Sequence, residues 1–127
     1  MKALVIDDSR AMRMVLKRFV TKLGFEVSEA GDGRAALDQI EAGNLPDVAL
    51  IDWNMPIMNG LEFVSAVRAR PDARNVALLM VTTESERSQI VRALAAGAHE
   101  YLIKPFTEDA LYSKLELLGV LPVAIGE

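Results

Sequence analysis

Five short apolar runs alternate with five amphipathic segments along the chain, and that alternation most limits the folds open to it. Residues 3–6 are apolar without interruption, the pattern of a strand covered on both faces. Met12, Val15, Leu16, Phe19, Val20 and Leu23 then recur at i, i+3, i+4 and i+7 spacing, which predicts a helix with one buried face. Ser9 can cap its start, and Gly24 stands where a helix C-terminal glycine belongs. The cycle repeats. Residues 25–30 read as a weaker strand and residues 31–33 as a turn. Residues 34–41 read as a helix with Ala36, Leu37 and Ile40 inward, stopped near Gly43. Residues 48–51 form a third apolar run. Asn59-Gly60 turns the chain into a helix carrying Leu61, Val64 and Val67. Residues 77–81 are a fourth run, followed by a helix over 86–96 with Ile90, Val91 and Leu94 inward, ending at Gly97. Residues 101–103 are the fifth, after which Thr107 caps a last helix with Leu111, Leu115 and Leu118 inward.

Strictly alternating strands and helices imply right-handed crossovers and a parallel sheet with helices on both sides. The expected architecture is therefore α/β: a doubly wound, flavodoxin-like, five-stranded parallel sheet in the order 2-1-3-4-5 with five helices. A chain of 127 residues suits one such domain. Residues 1–119 would be the domain, and 120–127 a short apolar tail. The composition fits a globular protein, with 51% hydrophobic and 25% charged residues. The net charge of -4 argues against bulk nucleic-acid binding. With no cysteine, disulfides and thiolate metal sites are excluded. No run is long enough to span a bilayer and no signal peptide is evident, so a cytoplasmic protein without membrane insertion is expected.

The apolar runs end in polar residues, and those ends share one edge of the sheet. Asp7 and Asp8 close the first strand and Asp52 the third. In a 2-1-3-4-5 order these strands are neighbours at the switch point, where such sheets bind ligands. Two carboxylates about 5 Å apart repel by roughly 3 kcal/mol at an effective dielectric near 20. A proton or a metal must relieve that repulsion. An all-oxygen set of carboxylates, a backbone carbonyl and waters suits a hard ion such as Mg2+. The carbonyl of Asn54, two residues past Asp52, is placed to be one ligand. Thr82 closes the fourth strand and Lys104 the fifth. The lysine offers a compact, flexible charge that can pair with Asp52 and then with a phosphoryl oxygen, while the Thr82 hydroxyl can serve another such oxygen. A cis bond before Pro105 would aim Lys104 inward, and an X-Pro bond makes that form accessible.

Together these residues resemble the receiver domain of two-component response regulators, and among them the stand-alone CheY-like chemotaxis type. The matching strings are Val5-Ile6-Asp7-Asp8-Ser9, Asp52-Trp53-Asn54-Met55-Pro56 with Asn59-Gly60, Met80-Val81-Thr82, and Tyr101-Leu102-Ile103-Lys104-Pro105-Phe106. The resemblance covers residues 2 to about 118. It implies a phosphorylation switch rather than an enzyme acting on a separate substrate. A histidine kinase would present a phosphohistidine, Asp52 would attack its phosphorus, and Asp7, Asp8, Asp52 and the Asn54 carbonyl would hold Mg2+. Thr82 and Lys104 would then bind the new phosphoryl oxygens. Movement of Thr82 would let Tyr101, the family's aromatic switch residue, turn inward. The output face would be built by the fourth helix, fifth strand and fifth helix. Asn54 and Glu84, each two residues past a site residue, resemble the polar pair that gives the chemotaxis proteins a short-lived phosphoryl group.

The implied target is a downstream protein, such as a flagellar motor switch protein or a phosphotransfer domain. A phosphorelay intermediate, or a receiver cut from a larger regulator, fits the same residues. No DNA-binding motif follows the fifth helix, and a monomer is expected. Two readings of other classes compete. A phosphohydrolase of the aspartate-nucleophile kind would place its pair at Asp-x-Asp spacing and carry a cap insertion, whereas this chain has Asp7-Asp8 and no insertion. A receiver reduced to an interaction module would be expected to lack an acidic residue, the threonine or the lysine, and all are present. His99 is expected to be a surface residue away from the strand ends, and Trp53 a partly exposed neighbour of Asp52. Arg10, Arg13, Lys17, Arg18 and Lys22 give the first helix a basic face, near which kinases and phosphotransfer domains dock in the family.

Overall fold

A computed structural model describes residues 1–83 and 87–121. Strands β1 (Lys2–Ile6), β2 (Glu26–Ala30), β3 (Val48–Ile51), β4 (Ala77–Thr82) and β5 (Glu100–Ile103) alternate with helices α1 (Arg10–Lys22), α2 (Gly33–Glu41), α3 (Gly60–Arg68), α4 (Arg87–Ala96) and α5 (Glu108–Leu117). A single turn of 3-10 helix, Pro71–Ala73, precedes β4. The strands are parallel, in the order β2-β1-β3-β4-β5. This is the expected flavodoxin-like arrangement, and each strand boundary lies within one residue of the sequence reading.

Period-two alternation along the buried strands divides the apolar residues between two cores. Leu4, Ile6, Ala49, Ile51, Leu78, Met80 and Tyr101 point to the side covered by α2, α3 and α4. Ala3, Val5, Val48, Leu50, Leu79, Val81 and Leu102 point to the side covered by α1 and α5. The helix starts are set locally. Ser9, Asp32, Asn59 and Thr107 each accept a hydrogen bond from a backbone N–H of the first turn, and Asn59 forms a reciprocal capping box with Glu62. Gly24 and Gly97 end α1 and α4 at φ of 98° and 123°, values that favour glycine.

Three residues expected inward face solvent. Val15 on α1 is 39% exposed, and Val91 and Leu94 on α4 are 56% and 43% exposed. On α4 the inward stripe is Ala93 with Ile90 and Ala96 packed beside it. Reading the largest side chains as core chose the neighbouring stripe, about 100° round the helix. The small inward residues allow α4 to lie close to its neighbours. A β-carbon on Gly97 would come within 2.1 Å of the Arg68 side chain at the end of α3.

The register levels the strand ends. Ile6 is opposite Ile51, Ile51 opposite Met80 and Met80 opposite Tyr101. Asp7 and Asp52 therefore leave the sheet side by side, and the Asp52 N–H bonds the Ile6 carbonyl at 2.9 Å.

Candidate functional site

Asp7, Asp8 and Asp52 converge so that one carboxylate oxygen from each lies within 4.8 Å of the others. Asp7 is buried, Asp52 half-buried and Asp8 exposed. Lys104 reaches in from the far end of β5. Its Nζ donates to Oδ2 of Asp7 at 2.7 Å and stands 3.6 Å from Oδ2 of Asp52. The lysine thus pairs more closely with Asp7 than with Asp52, the partner read from the sequence. The Lys104-Pro105 bond is cis, as anticipated. Phe106 meets Phe19 of α1 edge-on, with ring centres 6.2 Å apart, and so ties the loop after Lys104 to the helix after Asp8.

The Asp52 carboxylate is held by two further donors. The backbone N–H of Trp53 donates to Oδ1 at 2.8 Å, and the hydroxyl of the buried Thr82 donates to the same carboxylate. Burial pushes the Asp52 carboxyl above its ordinary value. The Lys104 charge opposes that rise, the Asp7 charge adds to it, and the Thr82 and Trp53 hydrogen bonds oppose it. Gly60 is required here because a β-carbon at that position would sit 2.2 Å from the Asp52 carbonyl oxygen. Oδ1 of Asp7 accepts from the Ser9 N–H at 2.8 Å, which turns its other oxygen toward Lys104. Three carboxyl groups thus face one ammonium. The surplus of negative charge in an all-oxygen donor set suits a hard divalent cation. Asp7, Asp8 and Asp52 could hold Mg2+, and the site has the chemistry to receive it.

The remaining residues singled out in the sequence are placed as follows. Asn54 is exposed, two residues past Asp52. Tyr101 is buried in the core on the α4 side, and Thr82 is buried at the site. Glu84 lies outside the described residues. Trp53 is only 7% exposed, more buried than the partly exposed residue expected, because it joins the core on the side covered by α2, α3 and α4, and the Arg92 guanidinium carbon lies 5.8 Å from its ring centre. His99 is exposed, as expected, but its ring is engaged, with Nδ1 accepting from the Leu78 N–H at 3.0 Å at the start of β4. Much of the basic face of α1 is spent internally, since Arg13 and Lys17 both pair with Glu29, and Lys22 pairs with Glu108. The sequence reading missed the part Arg13 plays at the site, where its Nη1 donates to the Asp7 carbonyl oxygen at 2.6 Å. Its place one turn into the helix that follows the Asp-Asp pair was the available signal.

A family model described as the response regulator receiver domain matches residues 3–116. The chain belongs to that family. This receiver is 42% identical over 119 residues to the chemotaxis protein CheY1 of Helicobacter pylori, covering 93% of the chain and 96% of the relative. It is 44% identical to a chemotaxis CheY homologue of Campylobacter jejuni, covering 100% and 97%. Among solved structures, chemotaxis protein CheY4 of Vibrio cholerae superposes with a TM-score of 0.85 at 37% identity, covering 92% of the receiver and 97% of that chain. Receiver domains are signalling switches rather than enzymes in the ordinary sense, and they bind Mg2+ at an acidic pocket. CheY-like receivers take phosphate from histidine kinases and act on downstream targets. Phosphorylation-activated signalling is accordingly this receiver's class of function. No helix among the described residues is long and apolar enough to cross a membrane.

Proposed function

We propose that this receiver, residues 1–119 of the chain, accepts a phosphoryl group from the phosphohistidine of a kinase onto Asp52, and that it works in chemotaxis. The observation that carries the reading is the convergence of Asp7, Asp8 and Asp52 within 4.8 Å, with Lys104 at 2.7 Å from Asp7 and 3.6 Å from Asp52. An Asp52 oxygen forms a bond to phosphorus while the phosphorus–nitrogen bond breaks and its electron pair leaves with the imidazole. Mg2+ held by Asp7, Asp8, Asp52 and the Asn54 carbonyl would offset charge on the transferring group. Lys104 supplies a second positive charge beside the acceptor, and Thr82 a hydroxyl.

Thr82 reaches Asp52, and Tyr101 is buried in the core on the α4 side. In this reading phosphorylation biases a two-state equilibrium at Thr82 and Tyr101 rather than creating a new fold. Val91, Leu94, Ile103 and Tyr112 are exposed apolar or aromatic residues on α4, β5 and α5, which supports that face as the output surface for a protein target. A flagellar motor switch protein or a phosphotransfer domain is the proposed target, and the receiver acts as a monomer in the cytoplasm. Asn54 and Glu84 set the phosphoryl lifetime by orienting the attacking water. A bulky apolar residue at either position should slow dephosphorylation, and a time course indifferent to both substitutions would remove that role.

Trp53, the sole tryptophan, reports the main reaction. Acetyl phosphate should change its emission only with Mg2+ present, the change should decay when the donor is removed, and Asp52→Asn should abolish it. A response that survives Asp52→Asn would overturn the assignment of the acceptor.

A further inference from the structure

Arg92 lies on α4, outside the cluster of strand ends, yet it meets a residue that touches the acceptor. Trp53 is held from three directions. Its N–H donates to Oδ1 of Asp52 at 2.8 Å, its carbonyl accepts from the Gly60 N–H at 2.9 Å, and its indole lies under the Arg92 guanidinium at 5.8 Å. The backbone contacts are confined, because Gly60 packs directly on the Asp52 carbonyl. The indole is then the arm by which α4 reaches the loop that carries Asp52. Arg92 is itself an exposed residue while the ring beneath it is 7% exposed, so the cation covers the ring face and keeps most of its own hydration.

We infer that Arg92 is a positioning residue for phosphoryl transfer to Asp52: it seats the Trp53 indole and thereby fixes the N–H that holds Oδ1. The other oxygen, Oδ2, then stays on the side of Lys104, 3.6 Å from its Nζ, and is the one that attacks phosphorus. As that bond forms, the bond from phosphorus to the donor's leaving atom breaks and its electron pair departs with the leaving group. The inference rests on the reading of Asp52 as the acceptor.

The test compares phosphoryl uptake from acetyl phosphate at saturating Mg2+ in the wild type, Arg92→Ala and Arg92→Lys, alongside Trp53 emission before phosphorylation. Arg92→Ala should slow uptake about three- to tenfold and shift the emission to the red as water reaches the ring. Arg92→Lys, which keeps the cation, should stay within about twofold of the wild type on uptake. Saturating Mg2+ keeps the comparison independent of any change in ion affinity that reaches Asp52, while Asp7 and Asp8 are untouched. Slower uptake in Arg92→Ala at saturating Mg2+, rescued by lysine, is the signature of a cation that positions the acceptor rather than one needed to load the ion. Uptake by Arg92→Ala at the wild-type rate, or an equal loss in both variants, would overturn the inference while leaving the acceptor in place. A wild type that takes up no phosphoryl group would remove the acceptor reading and this inference with it.

Discussion

The two ends of the parallel sheet solve opposite problems. At the carboxyl end, Asp7 and Asp52 emerge side by side with Asp8 beside them, and one lysine serves them. At the amino end, the polar groups are satisfied locally. Asp47 bridges three strands: its carboxylate accepts from the Lys2 N–H at 2.7 Å, its N–H bonds the Lys2 carbonyl at 2.8 Å, and its carbonyl accepts from the Ala77 N–H at 3.0 Å. The Arg68 guanidinium donates to the carbonyl oxygens of Gly97 at 3.2 Å, Arg74 at 3.0 Å and Val76. The His99 ring completes the start of the β4–β5 ladder through Leu78. One end is arranged to hold together, and the other gathers three carboxyl groups around a single ammonium, the arrangement the proposed function draws on. Stability and function should therefore separate along the strand axis.

The largest expected effect on stability is at the amino end. Arg68→Met keeps most of the side-chain volume but leaves several inward carbonyls without a donor. It should destabilise the fold by about 2–3 kcal/mol in denaturant unfolding. Phosphoryl uptake measured well below the melting temperature should stay near the wild-type rate, and a large loss of uptake at unchanged stability would break the contrast.

A smaller effect of opposite sign is expected at the carboxyl end. The Asp52 carboxyl is raised in the fold, chiefly by burial, so the native state holds that proton more tightly than the unfolded chain does. Stability from this group is therefore fully present below the ordinary value of 3.8 and is lost as pH rises through the folded value. At neutral pH the ionised carboxylate is a burden, which Asp52→Asn should lift by about 1 kcal/mol after discounting for partial solvent screening. Unfolding of both proteins in the absence of Mg2+ checks the sign, and a destabilised Asp52→Asn would contradict it.

The smallest effect sharpens the comparison from the amino end. The value of His99 lies below its ordinary 6.5, first because burial disfavours the imidazolium and second because Arg68 repels it. The unfolded chain then binds this proton more readily. The stability contributed by the neutral ring is present above pH 6.5 and is lost as pH falls through and below that value. Protonation at Nδ1 also removes the acceptor for the Leu78 N–H. His99→Asn, whose side-chain oxygen can take the place of Nδ1, should flatten this slope. The difference between pH 7.5 and about 5 is on the order of a few tenths of a kcal/mol, since the ring is only partly buried.

What the sequence made legible follows the same division. Asp7, Asp52, Thr82 and Lys104 could be placed together because an uninterrupted apolar run fixes where each strand ends, and parallel register does the rest. The caps at Ser9 and Thr107 could be read because they are decided within one helical turn, and Asn59, read only as part of a turn, proves to cap α3. Long side chains escaped this logic. Arg13, Arg68 and Arg92 each choose a partner brought near only by tertiary packing: the Asp7 carbonyl, the carbonyls before β4, and the Trp53 ring. Their spacing along a helix resembles that of any solvated arginine. Val91 and Leu94 were misplaced because α4 turns its alanines inward to pack closely, a demand set by its neighbours and invisible in its own periodicity.

The central claim is that the charge kept at the carboxyl end serves a phosphoryl group on Asp52. Transfer from a phosphorylated histidine kinase in the presence of Mg2+, followed by mass-spectrometric mapping of the modified peptide, tests it most directly. The account predicts one phosphoryl group, on Asp52, absent without Mg2+ and absent in Asp52→Asn. Modification at another residue in the wild type, or none from a competent donor with Mg2+ present, would contradict it.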